Sequence, residues 1–308
     1  VGFVAGTSVG KSQVIGELIA HILEYDPNSR IGVISLEESV ERSFARLLSS
    51  FVKKPVHYPP IEKIEENAQW FSDKTINFLR KCSVDNDELE KLKDHPLLKD
   101  KDGNDRLYIH NHFGSSKVDE VLFQIDKMIE QSKVDYILFD HISIVTSDQT
   151  EDERKALDRL CTLLRTEVVE QTEVCLFFVS HLSRNKNRTP HEEGGAVSLQ
   201  DIRGTQGIAQ LGDVIIGLER NTQADDVVER NTTKLRVLKN RPAGFTGYAC
   251  SVHFDHETGE LTEVPEEDKE VPDKEDKPVF DNSAVMEHIE KERPDLKPIE
   301  IEDDELPF

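Results

Sequence analysis

The sequence predicts an α/β fold, a mainly parallel sheet with helices on both faces, built around a loop that cradles phosphate. Three observations carry this. Residues 5–12, Ala5-Gly6-Thr7-Ser8-Val9-Gly10-Lys11-Ser12, follow an apolar run and open an amphipathic one. That is strand, glycine-rich loop and helix in the order of a P-loop. Further on, short apolar runs alternate with stretches of helical period. Three of those runs close on Glu37, Asp140 and His181, and such sheets carry their working residues at the carboxyl ends of their strands.

Each element follows in turn. Val1–Val4 is the first strand, and the helix after the loop runs to about Glu24, with Val14, Ile15, Leu18, Ile19 and Ile22 inward until Pro27-Asn28 breaks it. Ile31–Leu36 is a short strand, and Glu37-Glu38-Ser39 leads into a helix through Phe51. Residues 53–105 are highly charged with patchy helical period, and read as a helical insertion. Leu107–Asn111 is a strand; Val118, Val121, Leu122, Ile125, Met128 and Ile129 then recur at helical spacing. Tyr136–Phe139 is a strand ending in Asp140, and residues 151–171 are a helix facing Leu157, Leu160, Leu164 and Val168 inward. Val174–Ser180 is a strand ending in His181; Val214–Leu218, Lys234–Lys239 and Tyr248–Phe254 are later strands, the last two joined by a turn with Pro242 and Gly244.

Length and composition set limits. The 308 residues suffice for one sizeable α/β domain plus appendages. No run of 18 apolar residues exists, which predicts no membrane span. Cys82, Cys161, Cys175 and Cys250 lie far apart and read as reduced, mostly buried thiols of a cytosolic protein. The chain opens inside an apparent strand, as a fragment would. From Glu263 to Phe308 there are 18 acidic and 6 basic residues, a net −12 of the chain's −23, and six of the thirteen prolines. That composition predicts a disordered acidic tail at 263–308, with a short helix near Ser283–Glu292, beside a domain at 1–262.

The P-loop assigns roles by chemistry. Gly6 and Gly10 let backbone N–H groups approach the phosphates. Lys11 reaches the β/γ-phosphates, Ser12 offers its hydroxyl to Mg²⁺, and the helix N-terminus favours negative charge. Asp140, at the end of a buried strand, can hold the same ion. Glu37 can deprotonate the attacking water, with Glu38 as its competitor at the start of a helix. His181 is placed to contact a γ-phosphate. Lys239 and Arg241 flank a late corner from which a cation can reach a phosphate of its own subunit or a neighbour's. Arg184, Lys186 and Arg188 interleave with asparagines as phosphate-backbone contacts do, and Arg203-Gly204-Thr205-Gln206 is a second candidate segment.

In this order the pieces resemble the helicase domain of T7-type phage primase–helicases and, more distantly, Twinkle and DnaB. The resemblance covers roughly 1–262. It rests on residues 6–12, Leu-Glu-Glu-Ser at 36–39, Ile-Leu-Phe-Asp-His-Ile-Ser-Ile-Val at 137–145 and Asp-Glu-Arg-Lys at 152–155. It rests further on Ser-His-Leu at 180–182, His-Glu-Glu-Gly at 191–194, Asp-Ile-Arg-Gly at 201–204, Leu-Glu-Arg-Asn at 218–221 and Leu-Lys-Asn-Arg at 238–241. It implies a RecA-like core in a six-membered ring in the bacterial host's cytoplasm, hydrolysing dTTP or ATP with Mg²⁺ between neighbours to move 5′ to 3′ on single-stranded DNA. Glu37 would be the base, Asp140 the metal ligand, His181 the sensor and Arg241 the finger entering the next subunit. Arg220 and Phe254 would sandwich the base, and the loops 183–190 and 203–206 would line the channel. The terminal Phe308, after Glu302-Asp303-Asp304-Glu305-Leu306-Pro307, would dock on the phage DNA polymerase. The sequence departs from the family pattern at Ala209, where a cation is expected, and across 53–105. The resemblance does not extend to the family's primase, its zinc module or its linker helix, so priming is not expected of these residues. The rival reading is a RecA-type recombination or repair ATPase, which shares the P-loop and the strand-end carboxylates.

Overall fold

Burial on both faces explains the sheet. In the computed structural model, which describes residues 1–54, 95–110, 117–145, 153–183, 188–204 and 206–265, the central strands are apolar on both faces. Strand β1 (Gly2–Ala5) leads into α1 (Lys11–Tyr25), and β2 (Ile31–Ser35) into α2 (Val40–Val52). Then come β3 (Leu107–His110), α3 (Val118–Ser132), β4 (Tyr136–Asp140), α4 (Glu153–Leu163) with a π turn at Leu164–Val169, and β5 (Cys175–His181). The remainder is α5 (Gln206–Leu211), β6 (Val214–Glu219), α6 (Val227–Asn231), β7 (Thr232–Asn240), β8 (Gly247–Phe254) and β9 (Leu261–Glu263). Val1–Pro265 forms one compact unit.

The nine strands lie in the order β3-β2-β4-β5-β1-β6-β7-β8-β9. The first six are parallel, and β6 through β9 pair antiparallel. Successive residues of β4 go to opposite faces, as a period of two requires. Ile137 and Phe139 join Val4, Ile34 and Phe178 under α3 and α4, while Leu138 joins Phe3, Val33 and Val179 under α1 and α2. Truncating a side chain such as Phe139 would cost about 3–5 kcal/mol. Register sets the level of the site: Ala5 lies opposite both His181 and Leu218, and Ser35 opposite Asp140.

Several expectations need correction. Ile15 and Ile19 are buried as expected, but Leu23 is the third core residue of α1, with Val14, Leu18 and Ile22 only partly covered. Residues 95–105 of the expected helical insertion hold no helix. They form turns closed by Asp100, which accepts from the backbone of Asp102 and Asn104. The following Arg106 is fully buried and donates to the carbonyl oxygens of Leu23, Asp26, Ser29 and Pro96, satisfying the open end of α1. Glu263 belongs to β9, not to the tail. Among the described cysteines Cys161 is buried and Cys175 and Cys250 are half-buried; all three are free. None of the described helices is long and apolar enough to cross a membrane. Residues 55–94, Arg184, Lys186, the possible helix near 283–292 and Phe308 lie outside the described residues.

Candidate functional site

The loop 6–10 leaves β1 between β5 and β6 and enters α1 through Gly10, whose φ of 103° favours glycine. A Cβ on Gly6 would stand 2.7 Å from Cβ of His191, so glycine is required there by a close neighbour as well as by any phosphate. Lys11 is buried, and its ammonium donates to the carbonyls of Gly6 at 2.7 Å and Ala5 at 3.4 Å. Burial lowers its pKa to about 8, against the pull of Glu37 and Asp140. Such an amine is held in place by the loop that a triphosphate would occupy.

Glu37, Asp140 and His181 converge on this loop from β2, β4 and β5. Glu37 Oε1 lies 3.4 Å from His181 Nε2. That hydrogen bond, more than the nearby charges of His181, His141 and Lys11, keeps the Glu37 carboxyl below its ordinary pKa. Glu38 is instead paired with Arg46. Burial, reinforced by Glu37 and Glu38, raises Asp140 to about 7. Asp140 and Ser12 line one small cavity together with Ser35, Glu38, Ser43 and Arg46. Two oxygen donors on a shared cavity, one of them a carboxylate strained by burial, fit a hard dication such as Mg²⁺.

His141, to which the sequence reading gave no role, is the main addition. It is buried, packs its ring at a 43° tilt against that of His181 with centroids 3.8 Å apart, and bonds Ser143 Oγ through Nδ1 at 3.0 Å. Burial, then the His181 charge, depresses its pKa to about 3. The signal was available in the Asp-His dipeptide at the end of β4. Gln13 was also missed: its amide donates to Gly259 O at 2.8 Å and ties the start of α1 to the β8–β9 turn.

Arg220 stands beside Gly10, donating to Arg230 O at 2.6 Å and to Asn231 Oδ1 at 3.1 Å. His256 Nε2 shares Asn231 Oδ1 at 3.0 Å, and its ring meets Phe254 edge-on at 4.9 Å. Arg220 and Phe254 are thus linked through Asn231 and His256 on one side of the P-loop.

Lys239 and Arg241 are not brought to this loop. Val214 pairs with Asn240 at the amino end of β6, roughly four residues or about 13 Å of strand from the level of Ala5. Lys239, expected at the nucleotide, instead donates to Ala209 O at 2.8 Å and Gly212 O at 2.6 Å, closing the end of α5. Arg241 pairs with Asp213 and its side chain is 50% exposed. Of the two options open for Arg241, the chain's own P-loop is out of reach.

The DNA-facing candidates share one tether. Leu182 pairs with Ile202, Ser183 N donates to Asp201 O at 2.6 Å, and Arg203 N donates to His181 O at 2.9 Å. Arg188 reaches Asp201 at 3.7 Å and, like Arg203, is exposed. Gly204 has φ 110°, and a Cβ there would meet Leu157 at 2.7 Å.

Comparison with known proteins fits this geometry. The family model described as DnaB-like helicase C terminal domain matches residues 3–263. The chain belongs to that family. A DNA helicase/primase of Enterobacteria phage T3 is 40% identical over 160 residues, 52% of this chain and 28% of that protein. A solved structure described as a DnaB-like replicative helicase and its interactions with primase superposes with TM-score 0.62 at 16% identity, covering 86% of this chain and 58% of that one. The chain therefore spans under a third of the curated relative and somewhat over half of the solved one. The expected fold, a RecA-like α/β core with a mainly parallel sheet, is the fold of the DnaB-like family member.

Proposed function

We propose that this chain is the motor domain of a replicative DNA helicase, hydrolysing an NTP at the boundary between subunits to move along single-stranded DNA. One observation supports the reading best. His181 faces the base Glu37 with its ring, while its backbone carbonyl holds Arg203 and its chain continues into the 183–190 loop. A strand pulling on either loop bears directly on the residue that orients the base.

In this reading the P-loop amides and Lys11 bind the phosphates, and Arg220 and Phe254 hold the base. Ser12 and Asp140 would hold Mg²⁺, which supplies positive charge to the phosphate oxygens. Glu37, kept ionised by His181, takes the proton of the attacking water. His181 then changes partner from Glu37 to the γ-phosphate, a switch of one hydrogen bond. Arg241, facing away from its own site, completes the neighbour's. Arg184, Lys186, Arg188 and Arg203 line the path of the DNA, a local basic surface in an acidic protein. We place the motor in the compact unit 1–265 and assign polymerase docking to the acidic segment 266–308 through Phe308. By the same resemblance we assign a hexameric ring, 5′ to 3′ movement, dTTP or ATP as fuel, and the host cytoplasm.

The test is phosphate release and unwinding of a forked duplex, with electron micrographs of the same sample. Rings whose hydrolysis rises with single-stranded DNA and which open the fork are expected. Helical filaments on DNA without unwinding would favour the recombinase. Hydrolysis indifferent to DNA would overturn the motor.

A further inference from the structure

The trio Glu37, His141 and His181 offers chemistry that nucleotide hydrolysis does not use. One ligand atom from each lies within 4.8 Å of the other two. His141 is 1% exposed, and its Nε2 has no hydrogen-bond partner. Its Nδ1 is engaged by Ser143 Oγ at 3.0 Å. With the hydroxyl accepting from Nδ1–H, the buried Nε2 lone pair is left free. A bond of this kind fixes the tautomer of metal-ligating histidines. His181 directs Nε2 at Glu37, whose side chain is 44% exposed and can be reached from solvent.

We propose that Glu37, His141 and His181 form a second metal site, selective for a borderline dication such as Zn²⁺, whose occupation switches the motor off. Two imidazoles and one carboxylate are the donors Zn²⁺ and Co²⁺ take, with a water completing the shell. Mg²⁺ prefers oxygen donors, so it does not compete here, and Zn²⁺ gains little from the Ser12–Asp140 pair. Bond lengths of about 2.0–2.2 Å need the three donors to close by roughly an ångström. Rotation of the half-exposed Glu37 side chain supplies much of that. The bound metal takes the place of the Glu37–His181 hydrogen bond, so the carboxylate can no longer accept a proton and the imidazole cannot turn to a phosphate. Binding stands independently of the proposed function; the loss of turnover rests on Glu37 being the base.

Co²⁺ added to the nucleotide-free protein should give ligand-field bands for one ion per chain, without the intense thiolate band that a site at Cys82, Cys161, Cys175 or Cys250 would add. His141→Gln, His181→Gln and Glu37→Gln should each weaken Zn²⁺ binding at least tenfold, read by displacement of the cobalt bands. Ser143→Ala leaves all three ligands in place and should weaken it about tenfold by freeing the His141 ring. Since that variant removes only one half-buried hydroxyl, it keeps the test alive if a histidine variant misfolds. In saturating Mg²⁺, micromolar Zn²⁺ should halt phosphate release by the wild type, and a zinc-selective chelator should restore it. No cobalt bands, a thiolate band, or affinity untouched by the four substitutions would overturn the site. Zinc bound by the trio with turnover undiminished would overturn the switch and, with it, Glu37 as base.

Discussion

The two ends of the sheet treat their cations in opposite ways. At the carboxyl end, Lys11 is buried, folded onto the carbonyls of its own loop and flanked by Glu37 and Asp140. At the amino end of β6, Arg241 stands half exposed on Asp213, a carboxylate it shares with Arg165. Burial works against Asp213, yet Arg165 and Arg241 together hold its carboxyl below the ordinary value. In the proposed motor the carboxyl end is the nucleotide site, and the amino end presents a half-exposed cation too far along the sheet to serve its own P-loop. In the proposed ring, head-to-tail association would join the two, since such interfaces form rings when the rotation between subunits closes.

The strongest way to break this comparison is Arg241→Ala. Turnover should fall about 10³-fold or more while NTP binding persists, because a finger acts on the transition state. The fold should lose under about 1 kcal/mol, since the Asp213 pair is surface-exposed and Arg165 remains. Mixing Arg241→Ala with Lys11→Ala subunits should restore activity at junctions that combine one intact loop with one intact finger. A mixture that exchanges subunits yet stays no more active than its parts would argue against action of Arg241 in trans.

Glu37→Gln comes next, with hydrolysis down roughly 10²–10⁴-fold and binding retained. Glu38→Gln removes the partner of Arg46 and should cost far less in rate. Phosphate-release assays that rank the two the other way would move the base to Glu38.

The contrast also explains what the sequence made legible. The P-loop, Glu37, Asp140 and His181 could be read because each follows directly from a short apolar strand, and strand-end placement is local information. Gly6 was legible as a phosphate-loop glycine, but not as the residue that makes room for His191, a neighbour 185 positions away. His141 escaped for the same reason: its partner His181 meets it only after β4 and β5 pair. Lys239 and Arg241 looked alike beside one turn. The antiparallel return of β7 separates them, turning one ammonium inward onto α5 and leaving the guanidinium outside. Residues 95–105 read as part of the patchy helical period of 53–105, whereas Asp100 and Arg106 hold them in turns.

The loops tethered to His181 give a smaller effect. Replacing Arg184, Lys186 and Arg188 with Ala should weaken single-stranded DNA binding and flatten the dependence of log K on log salt by about two units. Stimulation of hydrolysis by DNA should drop more than the basal rate, because His181 itself is untouched. An unchanged salt slope would assign those cations to ordinary surface.

The smallest effect is a pH dependence that belongs to the buried end alone. In the empty protein burial sets the Lys11 pKa at about 8, and an arriving triphosphate must raise it, since negative charge favours the ammonium. Below pH 8 the amine is charged with or without nucleotide, so affinity should not change with pH on this account. Above pH 8 the free protein releases a proton that binding has to recover. Affinity for the Mg·NTP complex should then fall about tenfold per unit until the higher pKa of the bound state is passed. The γ-phosphate is already ionised in that range, with its last pKa near 6, so the slope reports on the protein. Arg241, a guanidinium charged throughout, should leave the Arg241→Ala variant with the same profile. A dissociation constant flat from pH 7 to 9.5 would mean that Lys11 stays charged without nucleotide. The carbonyls of Gly6 and Ala5, with Glu37 and Asp140, would then outweigh its burial.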